Sequence, residues 1–353
     1  MSNVITCEQV SNGHPDKICD QIADAVVTDC LRHDRNSRVA IEVLTKDNHI
    51  VIAGELTSSH EPNYAVLVNE VFEKIGKETL GYSTDDLDIR VLVSRQSGDI
   101  AQGVDVGGAG DQGMMFGFAT NETPELLPMP FVLATRFLEK LKGLDRRFRA
   151  DAKAQVSFDY DDWKIRTFLC SVQHSEDASS EFIKRTIGNM MKKTAAEAGL
   201  NTDFDILVNP TGRFVLGGPY ADSGVTGRKL ACDTYGGIGH IGGGAMSGKD
   251  PTKVDRSGAY IARKIARDIV RAGFAEKCEV QIAYAIGVAD PVSVHVETFG
   301  TESQEIGFIE DYIRGNYDLT PRGIIEGLGL LDVDYNEVSA YGHFGKIGLP
   351  WEA

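Results

Sequence analysis

Residues 38–57 read RVAIEVLT-KDN-HIVIAGELT. Both outer runs alternate in polarity and are rich in β-branched side chains, and Lys-Asp-Asn between them suits a tight turn. The stretch predicts a β-hairpin. The same form occurs twice more, at residues 154–173 (AQVSFDY-DDW-KIRTFLCSVQ) and 279–300 (EVQIAYAIGV-ADP-VSVHVETFG). Helical periodicity precedes each hairpin, over residues 15–33, 130–143 and 251–272, and follows it, over 61–79, 179–198 and 303–313. A further strand pattern comes after the first two units, DIRVLVS from Asp88 and FDILVN from Phe204. Helix, hairpin, helix and strand, about three times over, predict an α+β fold. It would have three similar domains in pseudo-threefold symmetry, each a β-sheet covered by helices. A two-domain α/β chain is the alternative.

The chain has 353 residues, 42 % of them apolar, which is ordinary for a globular protein with substantial cores. No apolar run is long enough to cross a bilayer. The N-terminal MSNVITCEQV lacks the pattern of a secretion signal, so a cytoplasmic location is expected. Cys7, Cys19, Cys30, Cys170, Cys232 and Cys278 are scattered without a CxxC pair, which predicts reduced thiols and argues against a structural zinc site. The formal net charge of −16 argues against a nucleic-acid partner. It also makes any local cluster of bases informative, because such a patch in an acidic protein suits an anion.

Gly13-His14-Pro15-Asp16-Lys17 opens the first helical pattern. Proline and an acid suit a helix start, and Ile18, Ile22 and Val26 supply a buried face. Lys17 suits it poorly, since a cation at a helix N-terminus is unfavourable; a bound anion nearby would relieve the misfit. Farther on, Gly243-x4-Gly248-Lys249 resembles a phosphate-binding loop, with Asp250 where a magnesium-binding hydroxyl would stand. Asp250 and Pro251 predict another helix start, with Ile261, Ile265 and Ile269 as its buried face. Lys249 and Lys253 again lie at the end unfavourable for cations, and Arg228 and Lys229 come earlier in the same glycine-rich passage, which runs from Ser223 to Ser257. Solvated lysines are one reading; a bound polyphosphate is the other. A divalent metal commonly bridges such a group to carboxylates, and Asp16 and Asp255, one near each helix start, are the candidates. Taken alone, each is more often a partner of the helix dipole than a ligand.

GHPDKICDQI, GAGDQGMMFGFATNE, NPTGRFVLGGP, DTYGGIGHIGGGAMSGKDPTKVDRS and AYGHFG together resemble the methionine adenosyltransferase (S-adenosylmethionine synthetase) family, over Ile5 to Trp351. The resemblance implies an N-terminal domain at 1–98, a gating loop at 99–112, a central domain at 113–221 and a C-terminal domain at 222–353, with termini free to exchange between them. It implies ATP and L-methionine as substrates, Mg2+ (two per site) and K+ as cofactors, and a homodimer or homotetramer with active sites between subunits. Methionine sulfur would attack C5′ of the ribose. The departing triphosphate would then be hydrolysed to pyrophosphate and phosphate. By motif, His14, Lys153, Arg228, Lys249 and Asp111 would be catalytic. Of these, His14, Lys153, Arg228 and Lys249 would also contact ATP, joined by Asp151, Arg213, Phe214, Asp222, Lys229 and Ala245, with Phe214 stacked on adenine. Glu55, Gln96, Asp111, Asp222 and Lys253 would contact methionine. Asp16 and Asp255 would hold Mg2+, and Glu42 K+.

Apart from the resemblance, Glu42 and Glu55 read as ordinary exposed strand acids and Phe214 as a core residue. The chain departs from the bacterial pattern in a shortened segment between Gln96 and Asp111, in Gly98 where proline is common, and in lacking a C-terminal extension. A shortened gate would alter turnover or product release. An ATP hydrolase and a non-catalytic nucleotide sensor are the rival functions.

Overall fold

The structure, a computed structural model, describes residues 3–95 and 108–353. The described residues form three sheets; the first two hairpins are the middle of theirs, and the third places one strand at the centre and the other at the edge of its three-stranded sheet. The first hairpin is β2 (Arg38–Lys46) and β3 (His49–Thr57), paired from Arg38 opposite Thr57 to Lys46 opposite His49. The second is β6 (Phe148–Asp159) and β7 (Lys164–His174), and the third β10 (Lys277–Tyr284) and β11 (Ser293–Glu297). Strand β4 (Asp88–Ser94) adds in parallel to β3, and β8 (Asp205–Val208) adds in parallel to β7.

The remaining strands are exchanged around the molecule. Strand β1 (Val4–Val10) precedes the first hairpin in the chain but pairs antiparallel with β6 of the second. Strand β5 (Gly113–Thr120) precedes the second hairpin and pairs with β10 of the third. The short β9 (Gly224–Val225) precedes the third hairpin and pairs with β2 of the first. The units that repeat along the chain are thus laced into a ring.

Helices cover one face of each sheet. Helix α1 (Pro15–His33) packs on β2 and β9 beside α2 (Tyr64–Ile75). Helix α3 (Met129–Leu141) packs on β1 and β6 beside α4 (Ser180–Glu197). After the single turn α5 (Leu230–Asp233), helix α6 (Val254–Arg271) packs on β5 and β10. It lies against α8 (Pro321–Leu328), which follows α7 (Ile306–Asn316). One apolar core joins the first and third sheets through α1 and α6, including Ile18, Ile22, Val26, Ile261, Ile265 and Ile269. A second core, with Phe137, Phe158 and Phe168, fills the central unit. All six cysteines are buried and free. Among the described residues, no helix is long and apolar enough to cross a membrane.

Several boundaries differ from the sequence reading. The third main helix starts at Val254, not Pro251, and its N-cap is Lys253. Asp250 does not cap it. Its carboxylate instead accepts from Thr252 N (2.9 Å) and Val39 N (2.7 Å), shaping the turn that ties this segment to β2. The pattern over 61–79 breaks at Gly76, whose φ of 103° ends α2 before a short 3-10 turn. The pattern over 303–313 is shifted, because its helix begins at Ile306. Strands β1 and β5 and helix α8 were not anticipated, since none lies in a repeating segment of the pattern.

Candidate active site

The site grows from the first turn of α1. Pro15 occupies the first helical position and His14 is the N-cap, its Nδ1 accepting from Asp16 N at 3.2 Å. That bond leaves the proton on Nε2. Burial, then the charges of Lys153 and Lys229, push His14 down to about 3, so at neutral pH it is an uncharged N–H donor. Asp16 lies beside it, 2 % exposed. One carboxylate oxygen accepts from Val225 N (2.9 Å), the other from Lys229 Nζ (2.6 Å), and Arg228 Nε stands 3.8 Å away. Burial works against the Asp16 anion, but these donors outweigh it and hold its carboxyl below the usual range. Lys153 projects from the exposed face of β6 close enough to influence His14 and Asp151. Asp151 is buried and accepts from Gly218 N at 2.8 Å. Burial pushes its carboxyl up to about 6, eased by that bond and Lys153 and reinforced by Asp222 and Asp16.

Lys17 does not face this cluster. It is fully buried, paired with Asp20 at 2.9 Å and with Asp233. Burial opposes its charge, but the two carboxylates win and raise it above the ordinary lysine range. The misfit at the helix start is therefore resolved inside the protein, and an external anion is not required to explain it.

Asp16, Asp20 and Asp24 follow one another at four-residue steps on one face of α1. Each accepts a backbone N–H from the glycine-rich passage: Asp16 from Val225, Asp20 from Gly227 (2.8 Å) and Asp24 from Gly248 (3.0 Å). Asp24 also pairs with the buried Arg256 of α6. The positioning roles of Asp20, Asp24 and Arg256 escaped the sequence reading, although the D-x3-D-x3-D spacing was visible.

The second half of the passage is held against β2. Gly248 O accepts from Ile41 N (2.9 Å), Asp250 N donates to Val39 O (3.0 Å), and Lys249 bridges Ala40. Gly248 has φ +82°, and a Cβ there would meet Ile41 O at 2.0 Å. This is a strand-like graft five residues ahead of its helix, not a phosphate-binding loop wrapped onto a helix N-terminus. It presents Lys249, whose Nζ lies 2.6 Å from Asp255. Gly244 lies so close to Asp255 that a Cβ would come within 2.1 Å of its carboxyl. Ala245 touches Gly227, where an added Cβ would lie 2.4 Å from it, so the two halves of the passage meet beside Arg228.

Glu42 and Glu55 lie on the uncovered face of the first sheet, on β2 and β3. Glu42 is raised by burial, opposed by Lys249 and reinforced by Asp20 and Glu55. Lys253 pairs with Asp250 at 2.6 Å. Phe214 is half-buried and belongs to neither apolar core. Its neighbour Arg213 points outward to Glu176 at 3.1 Å. Asp222 is exposed and accepts from Ser223 N, and Asp111 is exposed and accepts from Gln112 N. Gln96 and Gly98 lie outside the described residues.

The structure thus brings His14, Asp16, Asp151, Lys153, Arg228 and Lys229 into one neighbourhood, and Lys249, Asp255 and Glu42 into another joined to it by the glycine-rich passage. Each metal-ligand candidate, Asp16 and Asp255, carries a lysine. Family models describe this layout along the chain. The S-adenosylmethionine synthetase N-terminal domain matches residues 2–98, its central domain residues 106–214, and its C-terminal domain residues 216–353. The S-adenosylmethionine synthase of Mycoplasma mycoides is 44 % identical over 99 % of this chain and 94 % of its own length. That of Mycoplasma capricolum is 44 % identical over the same shares, and that of Mesoplasma florum 44 % over 100 % of this chain and 97 % of its own. With all three domains matched in order and with relatives this similar along their whole length, the chain belongs to the S-adenosylmethionine synthetase family, the methionine adenosyltransferases.

Proposed function

We propose that the chain makes S-adenosylmethionine from ATP and L-methionine by attack of the methionine sulfur on ribose C5′, with triphosphate as leaving group, followed by hydrolysis of that triphosphate to pyrophosphate and phosphate. The observation that carries this is the grouping of His14, Arg228, Lys229 and Lys153 around the first turn of α1. A thioether has no proton to lose, so the first step needs no general base. It needs positive groups where the triphosphate gathers charge, held in place beforehand. Lys229 and Lys249 rest on Asp16 and Asp255 and can trade those carboxylates for phosphate oxygens. His14 offers an uncharged N–H, which stabilises the departing oxygen without a proton changing hands.

Membership of this family brings a requirement for metal ions. Asp16 and Asp255 supply the hard oxygen donors that Mg2+ prefers, and a carboxylate oxygen engaged by one N–H retains a lone pair for a metal. Bound there, Mg2+ would neutralise charge on the triphosphate. Glu42 is the candidate for K+. Phe214, outside the cores, is available to stack on adenine, with Asp151, Arg213, Asp222 and Ala245 around the nucleotide. Glu55, Asp111, Gln96 and Lys253 are assigned to methionine, and residues 99–112 to the gate. We place the site at the interface of a homodimer or homotetramer in the cytoplasm, and set the domain limits at 1–98, 113–221 and 222–353.

The test is to incubate pure protein with ATP, L-methionine, Mg2+ and K+ and to quantify S-adenosylmethionine, pyrophosphate and phosphate. Equal amounts of all three are expected. Phosphate without the sulfonium product would establish an ATP hydrolase instead. Nucleotide binding with no turnover would leave a sensor.

A further inference from the structure

We propose that Asp29, His33 and His60 form a binding site for a divalent transition-metal ion at the C-terminal end of α1, separate from the active site. One ligand atom from each lies within 4.8 Å of the others. Asp29 and His33 stand four residues apart on the last turns of α1, the spacing that aims two side chains at one point. His60 comes from the segment after β3. Its Nε2 lies 2.7 Å from one Asp29 carboxylate oxygen; His33 Nδ1 lies 3.4 Å from the other and donates to the Asp29 carbonyl oxygen at 2.9 Å. Along the helix, Asp29 and His33 lie 15 and 19 residues from His14, about 22–28 Å of helical rise.

The segment that brings His60 is anchored to the end of α1. Asp34 accepts from Ser59 N (2.8 Å) and Ser59 Oγ (2.9 Å), the hydroxyls of Ser37 and Ser58 meet at 2.8 Å, and Ser58 Oγ accepts from His60 N at 3.0 Å. A site needs such support, because a metal gains little from ligands that must first be gathered. The imidazole rings of His33 and His60 stack at 4.0 Å and 15°, side by side, and His33 is exposed enough to turn toward a shared ion. A cleft of about 280 Å³ opens beside them, lined in part by Asp29, His60, Glu61 and Glu70, with room for water ligands. Arg32 also borders it, but its guanidinium is drawn to Asp334 at 2.8 Å.

The donor set chooses the ion. Two imidazoles and one carboxylate suit Zn2+, Co2+, Ni2+ or Cu2+, whereas Mg2+ and Ca2+ prefer all-oxygen sites. The helix C-terminus adds its negative end, and the chain's net charge of −16 favours any cation. On binding, each neutral ring gives the lone pair of its ligating nitrogen to the metal and carries its one proton on the other ring nitrogen, while the Asp29 carboxylate exchanges its hydrogen bond for the metal. A metal-free hydrogen bond between His60 and Asp29, capped by the stacked His33, is the competing account.

Zn2+ alone, added to the nucleotide-free protein while imidazole NMR signals are followed, separates the two. The signals of His33 and His60 should move together and saturate at one ion per chain, also in an Asp255→Asn background. His60→Ala should weaken this uptake at least about tenfold, with methionine adenosylation in Mg2+ unchanged. Signals that stay in place at saturating Zn2+ overturn the proposal, as does a His60→Ala protein that binds as tightly as the parent. The spectra of the unmodified chain keep the proposal testable should the variant fail to fold.

Discussion

Asp16 gives one oxygen to Val225 N and the other to Lys229, and both partners come from the glycine-rich passage. If it also holds Mg2+, Asp16→Asn keeps an acceptor for Val225 but loses the charge that a metal needs. Turnover should fall about 100-fold or more, and the Mg2+ concentration for half-maximal rate should rise. Unchanged rates across an Mg2+ titration would sink the assignment. Asp151 allows a pH test. Its carboxyl, raised to about 6, keeps a proton in the folded protein that the unfolded chain has already released. Stability therefore falls as pH climbs from the unfolded value through about 6, by about 3 kcal/mol from this group. Asp151→Asn removes that slope. Urea unfolding between pH 4.5 and 7.5 should show the gap between variant and parent widening in the variant's favour as pH rises; a constant gap would refute it. His14 and Asp16 were legible because proline and acid at a helix start have fixed geometric meaning. Lys17 was misread because nothing local shows that Asp233, 216 positions away, reaches it.

At the scale of elements, α1 serves as a rack. Its buried apolar face packs on β2, while Asp16, Asp20 and Asp24 fasten the passage that carries Arg228, Lys229 and Lys249. Asp24→Ala would orphan Gly248 N–H and leave Arg256 charged in a site with 0 % exposure. Losing one partner of a buried pair costs about 3–5 kcal/mol. Urea titration of the variant should show that loss, and a change below about 1 kcal/mol would mean that Arg256 finds another partner. The Asp250–Pro251 start was legible as a break in the chain but not as the right kind of break. Local capping rules favour Asp250 as an N-cap, yet Val39 N on the neighbouring strand competes for the same carboxylate and wins. The helices flanking the hairpins were readable, α8 was not, and the start of α6 was missed because a distant strand supplied the hydrogen bond.

The whole molecule is closed by exchange: β1 lies in the second hairpin's sheet, β5 in the third's and β9 in the first's. Each unit keeps its hairpin but gives one strand to another unit's sheet. Residues 113–221 cut free would lack β1 and present the bare edge of β6, so the fragment should be unfolded or aggregated. A soluble fragment with a cooperative thermal transition would show that the exchange is dispensable. In the intact chain, Trp163 sits in the turn of the second hairpin and Trp351 is buried beside Tyr260 of α6. Their fluorescence and the far-UV circular dichroism should report one coincident unfolding transition, because unfolding one unit strips a strand from another. Two separated transitions would contradict this.

Periodicity alone determined the three hairpins, their flanking helices and the α+β class, because alternation and helical spacing are local consequences of side-chain direction. Long motifs determined the family, because their order and length leave little room for coincidence. Tertiary structure alone decided which strand joins which sheet, since a strand's edge carries the same backbone donors and acceptors for any partner. It also decided the partners of the charges. Lys17 turned inward, Lys229 and Lys249 came to rest on Asp16 and Asp255, and Asp29 met His60, because a buried charge takes whichever opposite charge the packed chain brings within reach.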